Sequence, residues 1–497
     1  MTQTERATSA IDGLDHILGG GFPLDRLYLV EGDPGTGKTT LALQFLLDGV
    51  RRGEATLYVT LSETHDELRA VVESHGWSLA GITIHELGTD ETLRPDSQYT
   101  AFHPSEVELG DTMNTVFQLL DRVRPQRVVF DSLSEMRLLA RDPLRYRRQI
   151  LALKQFFIGR RCTVLLLDDR TAEGGDLQLQ SLAHGVVRLE QLAPDYGGSR
   201  RRLRVVKLRG VNFLHGFHDF TIRTGGIQVY PRLVASEHHE SFVPTMMSSG
   251  LPAFDRLLGG GLSPGTTTLF LGPAGSGKTL LAAHFAVEAA RHGQAVALFA
   301  FDEGRGTLLA GTKGIGLDLQ AQIDAGRAIV QQIDPAEVSP GEFVSLVRAV
   351  VEGRGARVVI IDSLNGYVNA MPEERSLTAH LHELAMYLRQ RGVMTIILMA
   401  QHGLIGAMQS SIDVSYLADS VVLMRFFEAE GSVRKAISVV KKRASGHEDT
   451  IREFRITAQG IRIGEPLQSF RGILTGVPEY DAAQLLSRED DGGRAGG

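Results

Sequence analysis

The chain has 497 residues, more than the roughly 250–300 at which a single hydrophobic core stops growing, so at least two domains are expected. Its formal net charge of −7 argues against a protein that coats nucleic acid through many phosphate contacts. The single cysteine, Cys162, excludes an intrachain disulfide and a multi-cysteine metal centre. Since the N-terminal residues lack the apolar core of a signal peptide and no apolar run reaches about 20 residues, we expect a cytoplasmic protein outside the membrane.

The sequence repeats itself at one fixed spacing. The run Leu18–Gly21 returns as Leu258–Gly261, and the octapeptide Gly32–Thr39 returns as Gly272–Thr279, both 240 residues later. One spacing for separate motifs indicates duplication of a whole domain. We therefore expect domains at residues 1–233 and 247–470, a polar linker at 234–246, and a C-terminal segment at 471–497 whose charged, glycine-rich end is disordered.

Apolar runs alternate with helical patterns along the first copy. Leu27–Val30 predicts a strand before the glycine-rich octapeptide, and the pattern at 39–50 predicts a helix after it. A strand at 55–61 follows, and then a helix opened by a capping box at Thr64–Glu67. The remaining predictions are strands at 128–130 and 163–167 with a helix at 143–158 between them, and matching strands in the second copy at 268–271, 295–301, 358–361 and 395–398. Buried apolar strands separated by helices are typical of a mainly parallel sheet, so each copy is predicted to be an α/β domain with helices flanking that sheet.

Both octapeptides fit the phosphate-loop pattern G-x-x-x-x-G-K-[ST] and lie between a predicted strand and a predicted helix. In such a loop, backbone N–H groups surround the phosphates, the lysine adds a positive charge, and the threonine hydroxyl can bind Mg²⁺. A chance match of a glycine-rich turn is the alternative, but two matches at one spacing argue against it. The predicted nucleotide-binding residues are Gly32, Asp33, Pro34, Gly35, Thr36, Gly37, Lys38, Thr39 and Thr40, and Gly272, Pro273, Ala274, Gly275, Ser276, Gly277, Lys278, Thr279 and Leu280.

A hydrated magnesium ion beside a phosphate loop also needs an acid at the end of a buried strand. Asp131 and Asp362 each follow an apolar run and precede Ser-Leu. Together with Thr39 and Thr279 they are the predicted metal ligands. The alternative interpretation is that each aspartate only caps a turn after its strand.

Hydrolysis of a nucleotide further needs a carboxylate that orients or deprotonates the attacking water. Glu63 in the first copy, and Asp302 and Glu303 in the second, end the predicted strand after the phosphate-loop helix. Ligands of open α/β sheets bind at that carboxyl edge. These acids could instead only favour the adjoining helix N-termini, and spacing leaves open which of the two acids of the second copy faces the γ-phosphate.

Taken together, the sequence resembles the KaiC family, double-domain members of the RecA-like ATPase superfamily, over nearly its whole length. Beside the two phosphate loops, the resemblance is carried by Gly76-Trp77, Lys207–Gly210, Lys441–Arg443 and Gly472–Pro478. It implies tandem RecA-like P-loop NTPase domains that bind ATP with Mg²⁺ and assemble as a homohexamer of two stacked rings, with nucleotide at the subunit interfaces.

The resemblance also implies that a Lys-x-Arg pair reaches the γ-phosphate bound by the neighbouring protomer. These pairs would be Lys207 with Arg209, and Lys441 with Arg443. A guanidinium and an ammonium supplied in trans could neutralise charge on a transferring phosphoryl group. The alternatives are a solvated basic strand or a nucleic-acid patch.

The sequence also departs from the family pattern. Ser62 replaces the first acid of the family's acidic pair, which leaves Glu63 alone in the first copy, whereas the second copy has Asp302. Ser445 and His447 fit the family's polar nucleotide contacts, but the first copy has Val211 and Phe213 there instead. The second copy is therefore expected to be chemically better equipped.

The family's second domain phosphorylates itself on an adjacent Ser-Thr pair. The best match here is Ser415-Tyr416, with Ser411 as a further acceptor candidate. Because a tyrosine occupies the second position, the sequence does not support an ordered two-site phosphorylation cycle. Surface hydroxyls with no role are the alternative.

The leading hypothesis is therefore a KaiC-like ATPase and possible serine/threonine autokinase with a signalling or clock-type role and regulatory protein partners. One rival is a RecA- or RadA-type DNA-dependent ATPase, which the negative charge and the lack of a cysteine zinc module disfavour. The other is a scaffold in which bound ATP only assembles the oligomer, for which Ser62 is the best support.

Overall fold

A computed structural model describes residues 5–87, 104–140, 142–170, 177–193, 197–369, 377–401, 416–443, 445–468, 470–473 and 479–480. The chain divides into two compact units, Met1–Arg232 and Leu233–Gly497, called domain 1 and domain 2 below. None of the helices in the described part of the chain combines the length and apolarity that a membrane crossing requires.

Between residues 27 and 192, one or two helices separate each strand of domain 1 from the next, and the last four strands follow one another directly. Its strands are β1 (Arg6–Ala7), β2 (Phe22–Pro23), β3 (Leu27–Gly32), β4 (Thr56–Thr60), β5 (Ile82–Glu86), β6 (Arg127–Asp131), β7 (Thr163–Asp169), β8 (Gly185–Leu192), β9 (Arg200–Leu208), β10 (His218–Arg223) and β11 (Gly226–Tyr230). Its helices are α1 (Asp12–Ile17), α2 (Lys38–Arg51), α3 (His65–Ser74), α4 (Pro104–Val123), α5 (Leu133–Ala140), α6 (Pro143–Phe157) and α7 (Leu177–Leu182).

Domain 2 follows the same plan after a short 3₁₀ turn at Ala235–Glu237. Its strands are β12 (Thr267–Gly272), β13 (Ala295–Ala300), β14 (Ala328–Gln332), β15 (Ala356–Asp362), β16 (Met394–Ala400), β17 (Ser420–Ala429), β18 (Ser432–Lys442), β19 (Arg452–Thr457), β20 (Gly460–Pro466), β21 (Phe470–Arg471) and β22 (Glu479–Tyr480). Its helices are α8 (Pro252–Leu257), α9 (Lys278–Arg291), α10 (Arg305–Gly314), α11 (Leu319–Asp324), α12 (Pro340–Arg354), α13 (Leu364–Asn369) and α14 (Leu377–Gln390).

Each domain is built on a nine-stranded sheet of matching strand order. The orders are β11-β10-β9-β8-β3-β7-β6-β4-β5 in domain 1 and β14-β13-β15-β16-β12-β17-β18-β19-β20 in domain 2. In both sheets six strands run parallel and three antiparallel strands extend one edge. The prediction of a mainly parallel sheet flanked by helices is confirmed for both copies.

Apolar side chains cover both faces of each sheet. On β3, Tyr28 and Val30 face one core of domain 1 while Leu27 and Leu29 face the other. This alternation is why the strand is apolar throughout: successive side chains of a strand point to opposite faces. The cores hold the carboxyl ends of the parallel strands in register, which fixes where the polar residues after each strand lie.

The residues before the first helix of domain 2 pack against that domain. Ala235 is buried and its N–H donates to Glu383 on α14 at 3.3 Å. His238 lies edge-on to the ring of Tyr387, and the Glu240 carboxylate pairs with Arg357 and Arg391. The start of domain 2 is thus attached to α14 by polar and aromatic contacts.

Candidate nucleotide sites

The phosphate loop of domain 1 joins β3 to α2, and its lysine bonds back to the start of the loop. The Lys38 ammonium donates to the carbonyl oxygens of Gly32 at 2.8 Å and Asp33 at 3.0 Å. Gly37 has φ of +101°, and a Cβ there would come within 2.5 Å of the Ile222 side chain. The positive φ strongly favours glycine, and any larger residue would also force the Ile222 side chain to move. Thr40 is buried in the first turn of α2.

Domain 2 repeats this loop between β12 and α9. Lys278 donates to Gly272 O at 2.9 Å and Pro273 O at 2.8 Å, and Gly277 has φ of +104°. Burial lowers the pKa of the Lys278 ammonium to about 8. A pocket of about 540 Å³ adjoins the loop and is lined by Lys278, Thr279, Leu280, Glu303, Thr307 and Ile456, among others. That volume is in the range of small-molecule sites.

The threonine after each lysine meets the predicted aspartate. Thr39 Oγ1 donates to Asp131 at 3.3 Å, and Thr279 Oγ1 donates to Asp362 at 2.7 Å. Burial raises the pKa of both carboxyls, while the hydroxyl bonds oppose the shift. In domain 1 the hydroxyl of Tyr58 also donates to the same Asp131 oxygen. The structure therefore brings each predicted threonine and aspartate together across the sheet.

Glu63 and Glu303 follow the neighbouring strands, β4 and β13, and lie beside these aspartates. The Leu61 N–H donates to Asp131 O at 2.7 Å, and the Phe301 N–H donates to Asp362 O at 2.6 Å. Both glutamates are half-buried, and desolvation followed by repulsion from Asp131 or Asp362 raises their pKa. A raised pKa at a ligand edge is typical of a carboxylate that exchanges protons.

One acid of the domain 1 site, Asp169, was not predicted from the sequence. Asp169 ends β7, opposite Gly32 of β3, and its carboxylate forms an ion pair with Lys38 at 2.7 Å. Ser134 Oγ donates to Asp169 at 3.2 Å. The signal was present, because Asp169 ends an apolar strand as Asp131 does. In domain 2 the position opposite Gly272 is Ala400.

Asp131 and Asp362 are called the central aspartates below. The third acid of domain 2, Asp302, lies on the opposite side of the central aspartate from the side that Asp169 occupies in domain 1. Ser363 Oγ donates to Asp302, and an added Cβ at Gly366 would lie 2.2 Å from an Asp302 oxygen. In domain 1 the equivalent Ser132 hydroxyl bonds instead to Ser134, the residue that donates to Asp169. Each site thus has three acids. In domain 2 the serine after the central aspartate bonds directly to the third acid, whereas in domain 1 it is connected to the third acid through Ser134.

The two Lys-x-Arg pairs lie away from the phosphate loop of their own domain. Lys207 on β9 lies opposite Val186 on β8, and Val186 lies opposite Leu29 on β3. Leu29 is three residues before Gly32, so Lys207 lies about 10 Å from the start of the loop along the strand direction. Lys207 donates to Gln180 O, and Arg209 donates to Ser181 O at 2.8 Å.

The second pair occupies the matching place in domain 2. Lys441 is level with Leu269 of β12 through Val421, and its ammonium donates to Ala418 O at 2.8 Å. Arg443 is exposed and its N–H donates to Asp419 O at 2.9 Å.

The further contacts expected from the resemblance also lie near the amino ends of the strands. The Glu448 N–H donates to Leu257 O at 3.0 Å, and a Cβ at Gly259 would lie 2.1 Å from Gly446 O. Ser445 and His447 therefore belong to a loop beside the end of α8, away from the phosphate loop of domain 2. Val211 and Phe213 pack against the core of domain 1. Ser411 and Ser415 lie outside the described residues.

Comparison with known proteins gives one consistent result across the chain. A family model described as "ATPase: KaiC" matches residues 7–234 and again residues 247–468. The chain belongs to the KaiC family. It is 27% identical to circadian clock protein KaiC3 of Synechocystis sp. over 97% of this chain and 96% of that protein. It is 26% identical to the circadian clock oscillator protein KaiC of Parasynechococcus marenigrum over 98% and 96%, and of Synechococcus elongatus over 96% and 93%.

Membership of the KaiC family supports ATP binding and ATPase activity for this chain. It also confirms the family resemblance predicted from the sequence and the prediction of two RecA-like domains. Within the described ranges, no group of three or more His, Cys, Asp or Glu residues forms a metal cage in this KaiC-family chain. A site with one threonine and one aspartate per metal suits an ion that also binds the ligand's phosphates.

Proposed function

We propose that both domains bind ATP with Mg²⁺ at the carboxyl edge of their sheets and that domain 2 is the main site of hydrolysis. The observation that carries this proposal is the recurrence, in each domain, of a loop lysine, a bonded threonine–aspartate pair and a half-buried glutamate at one edge. Positioning and charge neutralisation supply most of the catalysis of phosphoryl transfer. This edge offers groups for both.

The donor set fits magnesium. Thr279 and Asp362 in domain 2, and Thr39 and Asp131 in domain 1, provide hard oxygen ligands and no nitrogen or sulfur. Mg²⁺ takes such oxygens together with water and phosphate oxygens. When bound, the ion would neutralise phosphate charge, and Asp131 or Asp362 would hold it through carboxylate oxygens.

Glu303, and Glu63 in domain 1, are proposed to orient the attacking water and to accept its proton. Their pKa is raised by desolvation, which brings a carboxylate closer to the proton affinity that general bases use at neutral pH. Asp302 lies one residue before Glu303 and is hydrogen-bonded by Ser363, so we assign it a positioning role. Domain 1 has Ser62 there and is proposed to hydrolyse ATP more slowly.

Assembly is proposed to complete each site. Lys207 and Lys441 lie about 10 Å back from the loop of their own domain along the sheet. Arg209 and Arg443 follow two residues later and lie farther back, so both pairs favour action on a neighbouring protomer. A homohexamer of two rings would bring each pair to the next protomer's γ-phosphate, with Ser445 and His447 as further nucleotide contacts. Since relatives in this family are named as circadian clock proteins, we propose a clock-type or signalling role with regulatory protein partners.

Autophosphorylation of domain 2 is proposed at Ser415, with Ser411 as the second candidate. Intact-mass measurement after incubation with Mg-ATP would detect one added phosphate, and its loss in Ser415→Ala would identify the acceptor. Persistence of the added mass in a Ser411→Ala, Ser415→Ala double variant would exclude both serines.

The test of the proposed function is phosphate release by the full chain and by its Lys38→Ala and Lys278→Ala variants, combined with native mass measurement of assembly. We expect most turnover to disappear in Lys278→Ala and ATP to promote a hexamer. Turnover lost only in that variant would make domain 1 a nucleotide-holding scaffold. Strong stimulation by single-stranded DNA would favour a DNA-dependent ATPase, and absence of both turnover and ATP binding would refute the proposal.

A further inference from the structure

The two loop lysines differ in how many of their donors are occupied. An ammonium group has three N–H donors. Those of Lys38 face three acceptors: Gly32 O at 2.8 Å, Asp33 O at 3.0 Å and the Asp169 carboxylate at 2.7 Å. Lys278 donates to two carbonyls, and among the described residues no carboxylate lies within ion-pair distance of it. Lys278 therefore keeps a donor for a phosphate oxygen, and Lys38 does not.

The Lys38–Asp169 pair is shielded from solvent on the lysine side. The Lys38 side chain is 8% exposed and that of Asp169 is 27% exposed. Partial burial weakens screening by water, so this pair is stronger than an exposed one. Ser134 holds the carboxylate by a hydrogen bond at 3.2 Å, which restricts its rotation.

A triphosphate entering domain 1 would meet this carboxylate. Asp169 ends β7 in register with Gly32, the first residue of the loop, and its charge acts on both Asp131 and Glu63. The β- and γ-phosphates are the groups that a loop lysine contacts. These phosphates can accept a hydrogen bond from Lys38 only by displacing one of its three acceptors. If the Asp169 carboxylate is displaced, its negative charge would repel the phosphates.

We propose that Asp169 competes with the nucleotide phosphates for Lys38 and sets the ATP affinity of domain 1 below that of domain 2. It is a positioning residue that acts through the lysine. The inference rests on the proposed binding of ATP by domain 1 and assigns a control to that site. Ala400, the equivalent residue of domain 2, leaves that domain without this competitor.

The test measures ATP binding to the full chain by calorimetry in a Lys278→Ala background, which removes the loop lysine of domain 2. Asp169→Asn keeps the shape and the acceptor for Ser134 but removes the charge. We expect it to lower the Kd of domain 1 by about tenfold, the lower end of the effect of a hydrogen bond to a charged group. Asp169→Glu keeps the charge and should stay within about twofold of the parent.

A reciprocal variant controls for a merely structural role. In a Lys38→Ala background, Ala400→Asp places a carboxylate opposite Gly272 and should raise the Kd of domain 2 several-fold. An unchanged or higher Kd in Asp169→Asn, or an unchanged Kd in Ala400→Asp, overturns the inference. If the Lys278→Ala parent binds ATP and Asp169→Asn gains nothing, only this inference fails; if none of the domain 1 variants binds ATP, the proposed function of domain 1 fails with it.

Discussion

Domain 1 and domain 2 fold the same sheet and loop but place their third acid on opposite flanks of the central aspartate. In domain 2, Asp302 follows β13 and accepts a hydrogen bond from Ser363. Ala400 stands opposite Gly272, and Lys278 has no carboxylate partner among the described residues. In domain 1, Ser62 stands at that position, and Asp169 at the end of β7 pairs with Lys38. The number of acids is therefore equal, whereas their effect on the lysine differs. Two phosphate-loop sites with equal numbers of acids can therefore differ in whether the loop lysine is paired with a carboxylate.

The largest effect is expected from removing the candidate bases. Glu303→Gln, measured in the Lys38→Ala background, should lower the ATP turnover of domain 2 by on the order of 10²–10⁴-fold, because general bases contribute that much. Glu63→Gln in the Lys278→Ala background should lower the turnover of domain 1, starting from a smaller rate. Equal starting rates in the two backgrounds would contradict the difference between the domains.

The next effect is a pH dependence of ATP binding to domain 2. The pKa of Lys278 is about 8 in the folded chain without nucleotide, so its charge is lost above that pH. ATP affinity of domain 2 should fall by up to about tenfold per pH unit above 8. Calorimetry from pH 7 to 9 in the Lys38→Ala background checks this, and a flat affinity would contradict it.

The same pKa fixes the sign of a stability change. The ordinary pKa of 10.5 applies in the unfolded chain, so between about 8 and 10.5 the unfolded state binds more protons. The Lys278 contribution therefore makes the nucleotide-free domain more stable as the pH rises through that window. A Lys278→Met variant, which has no titrating group, should lack this contribution when melting temperatures are compared.

A smaller effect is expected from restoring the missing acid. Ser62→Asp places a carboxylate where Asp302 lies in domain 2 and should raise the turnover of domain 1 by roughly fivefold, the equivalent of about 1 kcal/mol. Asp302→Ser should lower the turnover of domain 2 by a similar factor. Phosphate release in the matching single-site backgrounds measures both, and no change in either would remove the positioning role of this acid.

The smallest effect is expected from removing the Tyr58 hydroxyl, which bonds to Asp131 in domain 1. Tyr58→Phe removes the hydrogen bond to Asp131 and should lower the free energy of unfolding by about 1 kcal/mol. Tyr387→Phe is a matched control, since Tyr387 is equally buried and donates to Glu352 at 3.0 Å, away from the phosphate loop. Only Tyr58→Phe should also change the ATP turnover of domain 1. An equal change of that turnover in both variants would show that Tyr58 has a purely structural role.

Much of the fold was predictable because its signals are local. The Thr64–Glu67 capping box opens α3, and the apolar runs at 128–130 and 163–167 lie within β6 and β7. The meeting of Thr39 with Asp131 and of Thr279 with Asp362 was expected on the same grounds, because parallel strands end at one edge. The acceptor candidates Ser411 and Ser415 and the roles of the Lys-x-Arg pairs stay predictions.

The sequence by itself determined the two phosphate loops, the alternation of strands and helices, and the family, since each depends on residues close together along the chain or on the repeat spacing. Only the tertiary structure decided that Asp169 meets Lys38. Chain order runs β3, β4, β6, β7, but the sheet order is β3-β7-β6-β4. Strand order depends on how the helices and apolar faces pack, and it cannot be predicted from a local sequence pattern. This order places the end of β7 beside the phosphate loop.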